Sequence, residues 1–337
     1  MDFSRRNFIK MAVGSTALAA SSSKAIADAA DAVEIPKRKF GRHDDMLTVV
    51  GFGGHTLYFA GSQKEASQIM HRAIDRGVNF FDNAWGYHGG KAEEYMGNAL
   101  VGHRDKVFLA SKFSNFRDDK YSEDLAGAMK SLEDSLRRLK TDHLDLWMMH
   151  NVIDNDADDA YKDDGAIAAI ELAKKQGKIR YGGFTGHTTP SVHVDMINGG
   201  YEWDATLMPV SVVGALSSRS FEKDVMPLCE KHNIAVFGMK GFGGSRRTQL
   251  HGQTNVEEVL RYSLSYNQVC SHLVGVDKLE YVDLAIAGSA GTPMTEQERS
   301  AFVVNDTPLS PHYADYHHGG HFYNAGIGGE KNHEHTA

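Results

Sequence analysis

Apolar and polar residues follow one another in blocks along most of this chain. From about residue 45, short apolar runs are followed by longer segments in which apolar residues recur at the spacing of one helix face. The short runs are continuously apolar, which is typical of parallel strands that are covered on both faces. The predicted strands are Leu47–Gly51, Asn79–Asp82, Val107–Lys112, Leu144–Met149, Ile179–Phe184, Ala205–Met208, Ile234–Met239 and Leu273–Val276.

Helix-length amphipathic segments fill the gaps between these strands, and Gly77 gives the first of them a stop signal. Eight strand–helix units in about 240 residues predict an α/β fold, the (β/α)8 TIM barrel. The predicted helices are Gln63–Arg76, Lys91–Val101, Tyr121–Leu139, Gly165–Gln176, Pro190–Asn198, Phe221–His232, Asn255–Tyr266 and Leu279–Ala287.

A doubly wound open sheet is the structural alternative to the barrel. Such a sheet, when it binds a dinucleotide, carries the pattern G-x-G-x-x-G at its first strand–helix turn. The chain has two candidate stretches, but Gly51–Thr56 ends in threonine and Gly241–Arg246 ends in arginine. Because the last glycine is missing in both, the sequence favours the barrel.

Segments at the two ends of the barrel complete the predicted organisation. A polar turn within Ile35–Asp45 separates two short extended runs, and we expect this hairpin to close the bottom of the barrel. The barrel domain is predicted over residues 37–304, with a last short helix at Met294–Phe302. Residues 306–337 are rich in Gly, His, Asn and Asp, which predicts a poorly ordered tail.

Composition excludes some classes of function. The 337 residues carry a net charge of −8, which argues against a nucleic-acid partner. Cys229 and Cys270 are too few for a disulfide framework, and their apolar surroundings predict buried thiols. Tail histidines such as His317, His318 and His321 make a metal-binding protein one alternative interpretation. Their spacing matches no defined zinc site, so no metal site is predicted.

The N-terminus has the order of a secretory signal. Arg5 and Arg6 precede a mildly apolar run, Met11–Ala20, and a small-residue site follows at Ala25–Ala27. The apolar run is too short and too weakly apolar to span a bilayer. The paired arginines resemble a twin-arginine signal, which implies export of the folded protein by the twin-arginine translocation machinery. We therefore predict a signal peptide at residues 1–27, a periplasmic location and no stable membrane association after processing.

Four chemically active residues follow consecutive predicted strands. Asp82 ends the second strand, Tyr87 lies in the loop after it, and Lys112 and His150 end the third and fourth strands. Such strand ends meet at the mouth of a parallel barrel. A buried lysine needs an acidic partner or must lose its charge, and Asp82 is the nearest acid at a strand end. We expect the lysine to lower the pKa of the Tyr87 phenol, which then gives a proton to a carbonyl oxygen. We expect His150 to donate a hydrogen bond to the same oxygen.

These residues lie in stretches that resemble the aldo/keto reductase family. The matching stretches are Phe80–Tyr87, Leu109–Lys112, Leu144–His150 and Gly182–Gly186, with shorter matches at Met239–Lys240 and Leu273–Gly275. The resemblance implies hydride transfer between a nicotinamide cofactor and a small carbonyl or alcohol substrate. It also implies that Asp82, Tyr87, Lys112 and His150 are the catalytic residues.

The cofactor positions match the family less closely. Family members hold the nicotinamide carboxamide with a Ser-Asn pair after strand five, where this chain has Thr185 and Gly186. After strand eight the family usually binds the 2′-phosphate of NADP, which Asp277 would repel and Lys278 could offset. The family thus favours NADP, whereas this region hints at NAD. The remaining candidate cofactor residues are Gly53 and, at the Gly-rich loop after strand seven, Lys240, Gly241, Gly243, Ser245 and Arg246.

Two further expectations concern the substrate and the supply of cofactor. We expect the loops around the barrel mouth to line the substrate site with Trp85, His88, Phe113, His187 and the stretch Val212–Phe221, with structural packing as the alternative role of each side chain. Nicotinamide cofactors are cytoplasmic, so we expect an exported enzyme to be loaded with its cofactor before transport. The same difficulty leaves a non-catalytic, exported barrel that binds a nicotinamide or another ligand as an alternative.

Overall fold

The structure, a computed structural model, describes Ala25 and residues 27–28, 30–114, 124–153, 156–215, 220–241 and 255–305. In these residues eight parallel strands form a closed barrel, and an antiparallel hairpin precedes it. The last barrel strand pairs with the first, which confirms the predicted (β/α)8 barrel and hairpin. The hairpin strands are β1 (Lys37–Lys39) and β2 (Met46–Thr48), and the barrel strands are β3 (Val50–Gly53), β4 (Phe80–Asp82), β5 (Phe108–Ser114), β6 (Leu144–His150), β7 (Ile179–Thr185), β8 (Ala205–Pro209), β9 (Ala235–Met239) and β10 (Val269–Val274).

Helices alternate with the barrel strands. The predicted helix Phe221–His232 consists of a π-helical turn, Phe221–Val225, followed by an α-helix. Short 3-10 turns lie at Tyr58–Ala60, Tyr87–Gly90 and Arg104–Lys106. The α-helices are α1 (Gly54–Leu57), α2 (Gln63–Asp75), α3 (Lys91–Leu100), α4 (Leu125–Leu139), α5 (Asp156–Ala160), α6 (Ala166–Lys175), α7 (Pro190–Asn198), α8 (Val212–Ala215), α9 (Met226–His232), α10 (Val256–Ser263), α11 (Leu279–Ser289) and α12 (Glu296–Asn305).

Polar side chains fix where several of these helices begin and end. Ser62 caps α2 and Asp124 caps α4, each by accepting a hydrogen bond from a backbone N–H of the first turn. Asn255 and Glu258 form a reciprocal capping box at the start of α10. Lys140 ends α4 in the left-handed conformation. These caps orient the helices that pack around the barrel.

Two apolar layers hold the barrel together. Its interior is filled by every second side chain of the strands, including Phe80, Phe108, Leu146 and Phe237. The larger layer lies between the strands and the helices and includes Trp147. Successive side chains of a strand point to opposite faces. A residue two positions beyond an interior side chain therefore points into the barrel as well, and near a strand end it points into the mouth.

The hairpin closes the bottom of the barrel, as the sequence predicts. Phe40, which directly follows β1, is fully buried. Its ring packs on Phe108, Tyr181 and Phe237 at centroid distances of 5.1, 5.0 and 5.8 Å. Arg38 of β1 donates three hydrogen bonds to backbone carbonyls at and before the start of β10. The hairpin therefore fills the bottom of the barrel with the Phe40 ring and is bonded to the barrel through Arg38.

The first and last barrel strands differ from the prediction. The first begins at Val50 rather than Leu47, because Leu47 belongs to the hairpin strand β2. The last begins at Val269 rather than Leu273. His272 interrupts the apolar pattern of this strand, although its side chain is buried.

Parts of the predicted organisation lie outside the described residues. The tail at 306–337 and nearly all of the signal peptide at 1–27 belong to them, and both stay predictions. No helix in the described part of the chain is long and apolar enough to cross a membrane. Cys229 and Cys270 are buried free thiols, in agreement with the expectation.

Candidate active site

The barrel mouth brings together the four predicted catalytic side chains. Asp82 is the last residue of β4, His150 is the last residue of β6, and Lys112 lies two residues before the end of β5. Each lies two positions beyond an apolar residue of the barrel interior, so the strand alternation directs all three side chains inwards. Tyr87 joins them from the loop after β4.

Lys112 and Asp82 form a buried ion pair in the mouth. The lysine ammonium donates to both carboxylate oxygens, at 2.5 and 2.6 Å, and to the Asn83 carbonyl oxygen at 2.6 Å. Burial lowers the pKa of Lys112 and raises that of Asp82, while the attraction between the two charges opposes both shifts. Three acceptors match the three N–H groups of an ammonium, so the geometry is that of the charged pair.

Tyr87 lies against this pair. The Lys112 Nζ atom is 5.1 Å from the centroid of the tyrosine ring. The rings of His150 and His55 meet the tyrosine ring edge to face at 5.9 and 5.1 Å. Burial and the charge of Asp82 raise the pKa of Tyr87 above its ordinary value. The expectation that Lys112 lowers this pKa is therefore wrong, because Asp82 balances the lysine charge and burial disfavours the phenolate.

His150 presents a neutral imidazole to the mouth. Burial and the positive charges of Lys112 and Lys240 lower its pKa to about 3. An uncharged imidazole can donate one hydrogen bond. His187, which is a predicted substrate residue, lies beside it at a ring-centroid distance of 6.3 Å. Only 7% of its surface is exposed, and burial lowers its pKa as well.

Aromatic rings from two loops form a wall beside Tyr87. This aromatic wall consists of His55, Tyr58, Phe59 and His88. The His88 ring stacks on Tyr58 at 4.1 Å and meets Phe59 at 4.9 Å. His55 and Phe59 are exposed, Phe59 by 40%. The sequence predicts His88 here but misses the other three, although their position directly after the first barrel strand was a signal for the mouth.

Trp85 and Phe113 do not line the mouth, so this part of the predicted substrate site is wrong. Phe113 follows Lys112 on β5 and therefore faces the helices, where its ring packs on Trp147 at 4.1 Å. Trp85 is buried, and its ring packs under the guanidinium of Arg138 at 5.5 Å. Both side chains are packed behind the residues of the mouth, Phe113 against Trp147 and Trp85 against Arg138.

The predicted cofactor residues on β3 and after β7 differ in the space around them. A Cβ atom added to Gly53 would have no neighbour within 4 Å, so a ligand can approach its backbone closely. A Cβ atom on Gly186 would lie 2.7 Å from the Val152 carbonyl oxygen, which leaves no room for the asparagine of the family. The Thr185 hydroxyl donates to the Leu207 carbonyl at 2.7 Å, so it keeps only its acceptor capacity for a carboxamide.

The other cofactor candidates lie at the ends of β9 and β10. Lys240 follows β9, and burial lowers its pKa to about 7. Gly241 approaches His272 so closely that an added Cβ atom would lie 2.9 Å from the ring Nε2. Asp277 is half-buried, and Lys278 is the exposed residue that precedes α11. The candidates outside the described residues, which stay predictions, are Gly243, Ser245 and Arg246.

Known proteins match both the sequence and the fold. The profile of the aldo/keto reductase family matches residues 49–287, which contain all eight barrel strands and most of the chain. The chain belongs to the aldo/keto reductase family. It is 28% identical over 305 residues to the uncharacterized oxidoreductase YqkF of Bacillus subtilis (strain 168), which covers 79% of this chain and 94% of the relative.

Solved aldo-keto reductases have the same fold as this reductase. The holo form of AKR11C1 from Bacillus halodurans matches with a TM-score of 0.68 and 24% identity, over 83% of this chain and 100% of that chain. An aldo-keto reductase from Klebsiella pneumoniae, in complex with NADPH, matches with a TM-score of 0.63 and 22% identity, over 83% and 97%. The family match makes this chain an oxidoreductase. Among the described residues, no group of three or more His, Cys, Asp or Glu side chains could hold a metal ion.

Proposed function

We propose that this reductase interconverts an aldehyde or ketone and the corresponding alcohol, with NADP(H) as its cofactor. The observation that carries the proposal is the buried Lys112–Asp82 pair against the Tyr87 ring, with His150 at the edge of that ring. Removing two charges from water is costly. Here the pair lies at the mouth of the barrel, where its lysine can stabilise the phenolate form of Tyr87.

Tyr87 supplies the proton of the alcohol. Its raised pKa keeps the phenol protonated at neutral pH, so it can donate to the carbonyl oxygen while the carbonyl carbon receives hydride. Lys112 stabilises the phenolate that remains, and Asp82 keeps the lysine charged. Neutral His150 donates a hydrogen bond to the same oxygen and orients it. In the reverse reaction the Tyr87 phenolate accepts the proton of the alcohol.

Several residues of the mouth fit a nicotinamide dinucleotide. Gly53 leaves open space at the end of β3, and Lys278 places a positive charge directly before α11. Lys240 follows β9 with a pKa of about 7, and a nearby phosphate would favour its charged form. When bound, the cofactor supplies or takes up the hydride at the substrate carbon. We propose NADP(H) because a structural neighbour was solved with NADPH. The NAD preference that Asp277 suggests has no support from these comparisons.

Analysis of the natively purified protein tests this function. Small molecules released on denaturation are identified by absorbance and mass, and oxidation of NADPH and NADH is followed with aldehydes, ketones and sugars. We expect a bound or bindable dinucleotide, turnover of at least one class of carbonyl, and preference for NADPH. Binding without turnover would instead indicate a binding module. Protein that neither contains nor binds a dinucleotide would rule out the proposed function.

We also propose export to the periplasm through the twin-arginine machinery, with the cofactor bound before transport. The paired Arg5 and Arg6 ahead of an apolar run support this route. Cell fractionation of the wild type and of the variant Arg5→Lys/Arg6→Lys tests it. We expect the wild type in the periplasmic fraction and the variant inside the cell. A wild-type protein found only in the cytoplasm would refute the proposed export.

A further inference from the structure

A second buried ion pair lies directly behind the loop that carries Tyr87. Glu93, in the first turn of α3, has no exposed surface, and the side chain of Arg138, near the end of α4, is 8% exposed. The Arg138 Nη1 atom is 3.1 Å from Glu93 Oε2. Glu93 Oε1 accepts a hydrogen bond of 2.6 Å from Ser111, which precedes Lys112 on β5. The pair therefore joins two helices to the strand of the active-site lysine.

The guanidinium of this pair also contacts the Tyr87 loop. Arg138 Nη1 donates to the Trp85 carbonyl oxygen at 2.9 Å. A Cβ atom added to Gly90 would lie 2.4 Å from Arg138 Cζ, so the guanidinium packs directly on the loop backbone there. The backbone N–H of Trp85 donates in turn to the backbone carbonyl oxygen of Lys112 at 2.9 Å. One arginine thus contacts the loop on both sides of Tyr87.

At the tip of the loop, the His88 ring donates a hydrogen bond to the His55 carbonyl oxygen at 3.0 Å and stacks on Tyr58, whereas the two glycines beside Tyr87 add no packing of their own. A Cβ atom added to Gly86 or Gly89 would have no neighbour within 4 Å, and both glycines are exposed. The Tyr87 N–H donates within the loop, to the Ala84 carbonyl. His88 has a φ of 52°, a left-handed conformation that is uncommon for residues other than glycine. Such a conformation persists when the surrounding structure holds it.

We propose that Arg138 and Glu93 are positioning residues, which hold residues 84–90 so that Tyr87 stays in place against Lys112. The role of Tyr87 in proton transfer rests on the proposed function, whereas the support of the loop rests on the contacts above. Because a misplacement of about 1 Å can lower a catalytic rate about 100-fold, support of this kind is a catalytic requirement.

Glu93 holds the guanidinium in its place between the two helices. Burial raises the pKa of this carboxyl, and the hydrogen bond from Ser111 and the charge of Arg138 oppose that shift. If the arginine is removed, a buried carboxylate is left without its counterion. The effects of the two residues should therefore be coupled, with the double variant little worse than either single variant.

The variants Arg138→Leu, Arg138→Lys and Glu93→Gln test this proposal, with Arg104→Leu as the matched control. Arg104 and Asp145 form a buried ion pair at the bottom of the barrel, with side chains 15% and 7% exposed and a distance of 2.8 Å. The control removes the same kind of interaction without a change at the mouth. It therefore reports what the loss of a buried ion pair alone does to this fold.

Two measurements separate positioning from a general loss of stability. Hydrogen exchange, followed by mass spectrometry, reports on the amides of residues 84–90 without any turnover. The kcat is divided by the number of NADPH-binding sites, counted by fluorescence titration, so that unfolded protein does not lower it. We expect Arg138→Leu to speed exchange in this segment and to lower kcat per site about 10- to 100-fold. Arg138→Lys and Glu93→Gln should show smaller changes, and Arg104→Leu should lower only the melting temperature.

The proposal is overturned if either measurement on Arg138→Leu matches that on Arg104→Leu. Should Arg138→Leu not fold, Arg138→Lys and Glu93→Gln decide by the same two measurements. A wild type that turns over no carbonyl would refute the proposed function alone. In that case exchange in residues 84–90 still shows whether Arg138 holds the loop.

Discussion

The surroundings of Tyr87 determine the protonation state of its phenol. Burial and the charge of Asp82 raise its pKa, so the phenol stays protonated across the neutral range. Lys112 does not reverse this, because its ammonium is paired with Asp82 at 2.5 Å. In the proposed mechanism, Lys112 stabilises the phenolate that remains after the proton has moved to a carbonyl oxygen. In the proposed reaction, a protonated Tyr87 is the form that acts as the acid in carbonyl reduction.

The variant Tyr87→Phe removes the proton donor and keeps the ring. We expect kcat for carbonyl reduction to fall about 10²- to 10⁴-fold, which is the range of general acid catalysis. The dissociation constant of NADPH and the melting temperature should not change, because the substitution deletes one hydroxyl group at the mouth. Steady-state kinetics, fluorescence titration and thermal unfolding measure the three quantities. Full turnover by this variant would mean that another group, His150 first, donates the proton.

The sequence alone could predict residues that lie at strand ends but not residues that reach the mouth from outside the barrel. Lys112 was predictable because chain order places it at the end of a parallel strand, and these ends meet at the mouth. Phe113 is its neighbour in sequence but faces the opposite way, so the two-residue alternation decides its place. Arg138 and Glu93 lie on helices, and only the packing of those helices against the loop shows what they contact.

At the scale of elements, boundaries were predictable where local chemistry marks them. The helix Pro190–Asn198 has the predicted bounds, because proline suits the first turn of a helix. Strand β10 was placed too late, because its buried His272 looks like a loop residue in the sequence. The structure supplies the reason that the imidazole is tolerated there: its Nδ1 atom pairs with the Ser263 hydroxyl of α10 at 2.7 Å. Such a partner belongs to another element and cannot be predicted from β10 itself.

Two strand-end glycines should respond differently to the same small substitution. Gly53→Ala adds a methyl group in open space, so we expect an unchanged melting temperature but a dissociation constant for NADPH about tenfold higher. Gly186→Ala forces a methyl group to within 2.7 Å of the Val152 carbonyl and 2.8 Å of His193, which should cost about 1–3 kcal/mol of stability. Thermal unfolding and fluorescence titration compare the two variants. Equal melting temperatures, or unchanged NADPH binding by Gly53→Ala, would contradict this assignment of the strand ends.

The aromatic wall should contact the part of the substrate that lies outside the reacting carbonyl. Phe59 is an exposed ring of this wall, and aromatic contacts contribute about 0.5–1.5 kcal/mol each. We therefore expect Phe59→Ala to raise KM for ring-bearing carbonyls about threefold to tenfold relative to small aliphatic aldehydes, with little change in kcat. Met46→Ala, which truncates an exposed side chain of the hairpin, is the control. An equal change in KM for both substrate classes would show that the wall does not select among substrates.

At the scale of the whole molecule, the ion pairs that join the hairpin to the barrel lie at the end opposite to the candidate active site. At the bottom, Asp204 pairs with Arg42 of the hairpin turn at 2.6 Å. Arg180 of β7 bridges Asp145 of β6 and Asp45 of the same hairpin turn, each at 2.8 Å. Ion pairs at the bottom rim of the barrel thus hold the hairpin in place. The ion pairs Lys112–Asp82 and Arg138–Glu93, in contrast, lie near Tyr87 at the mouth. This division is typical of barrels whose sites lie at the carboxyl ends of the strands.

The variant Phe40→Ala tests this separation of stability from chemistry. It removes the ring that plugs the bottom and leaves a cavity against Phe108 and Phe237, so we expect a loss of about 3–5 kcal/mol in the free energy of unfolding. The interior residues Phe108 and Ala110 lie along β5 between this ring and Lys112, so kcat per NADPH-binding site should stay unchanged well below the unfolding temperature. Denaturant unfolding and kinetics on the same preparation measure both effects. If Phe40→Ala lowered kcat per site as strongly as a change in the mouth does, the interior would couple the two ends of the barrel. The precise placement of Tyr87 would then depend on the packing at the bottom as well as on its own loop.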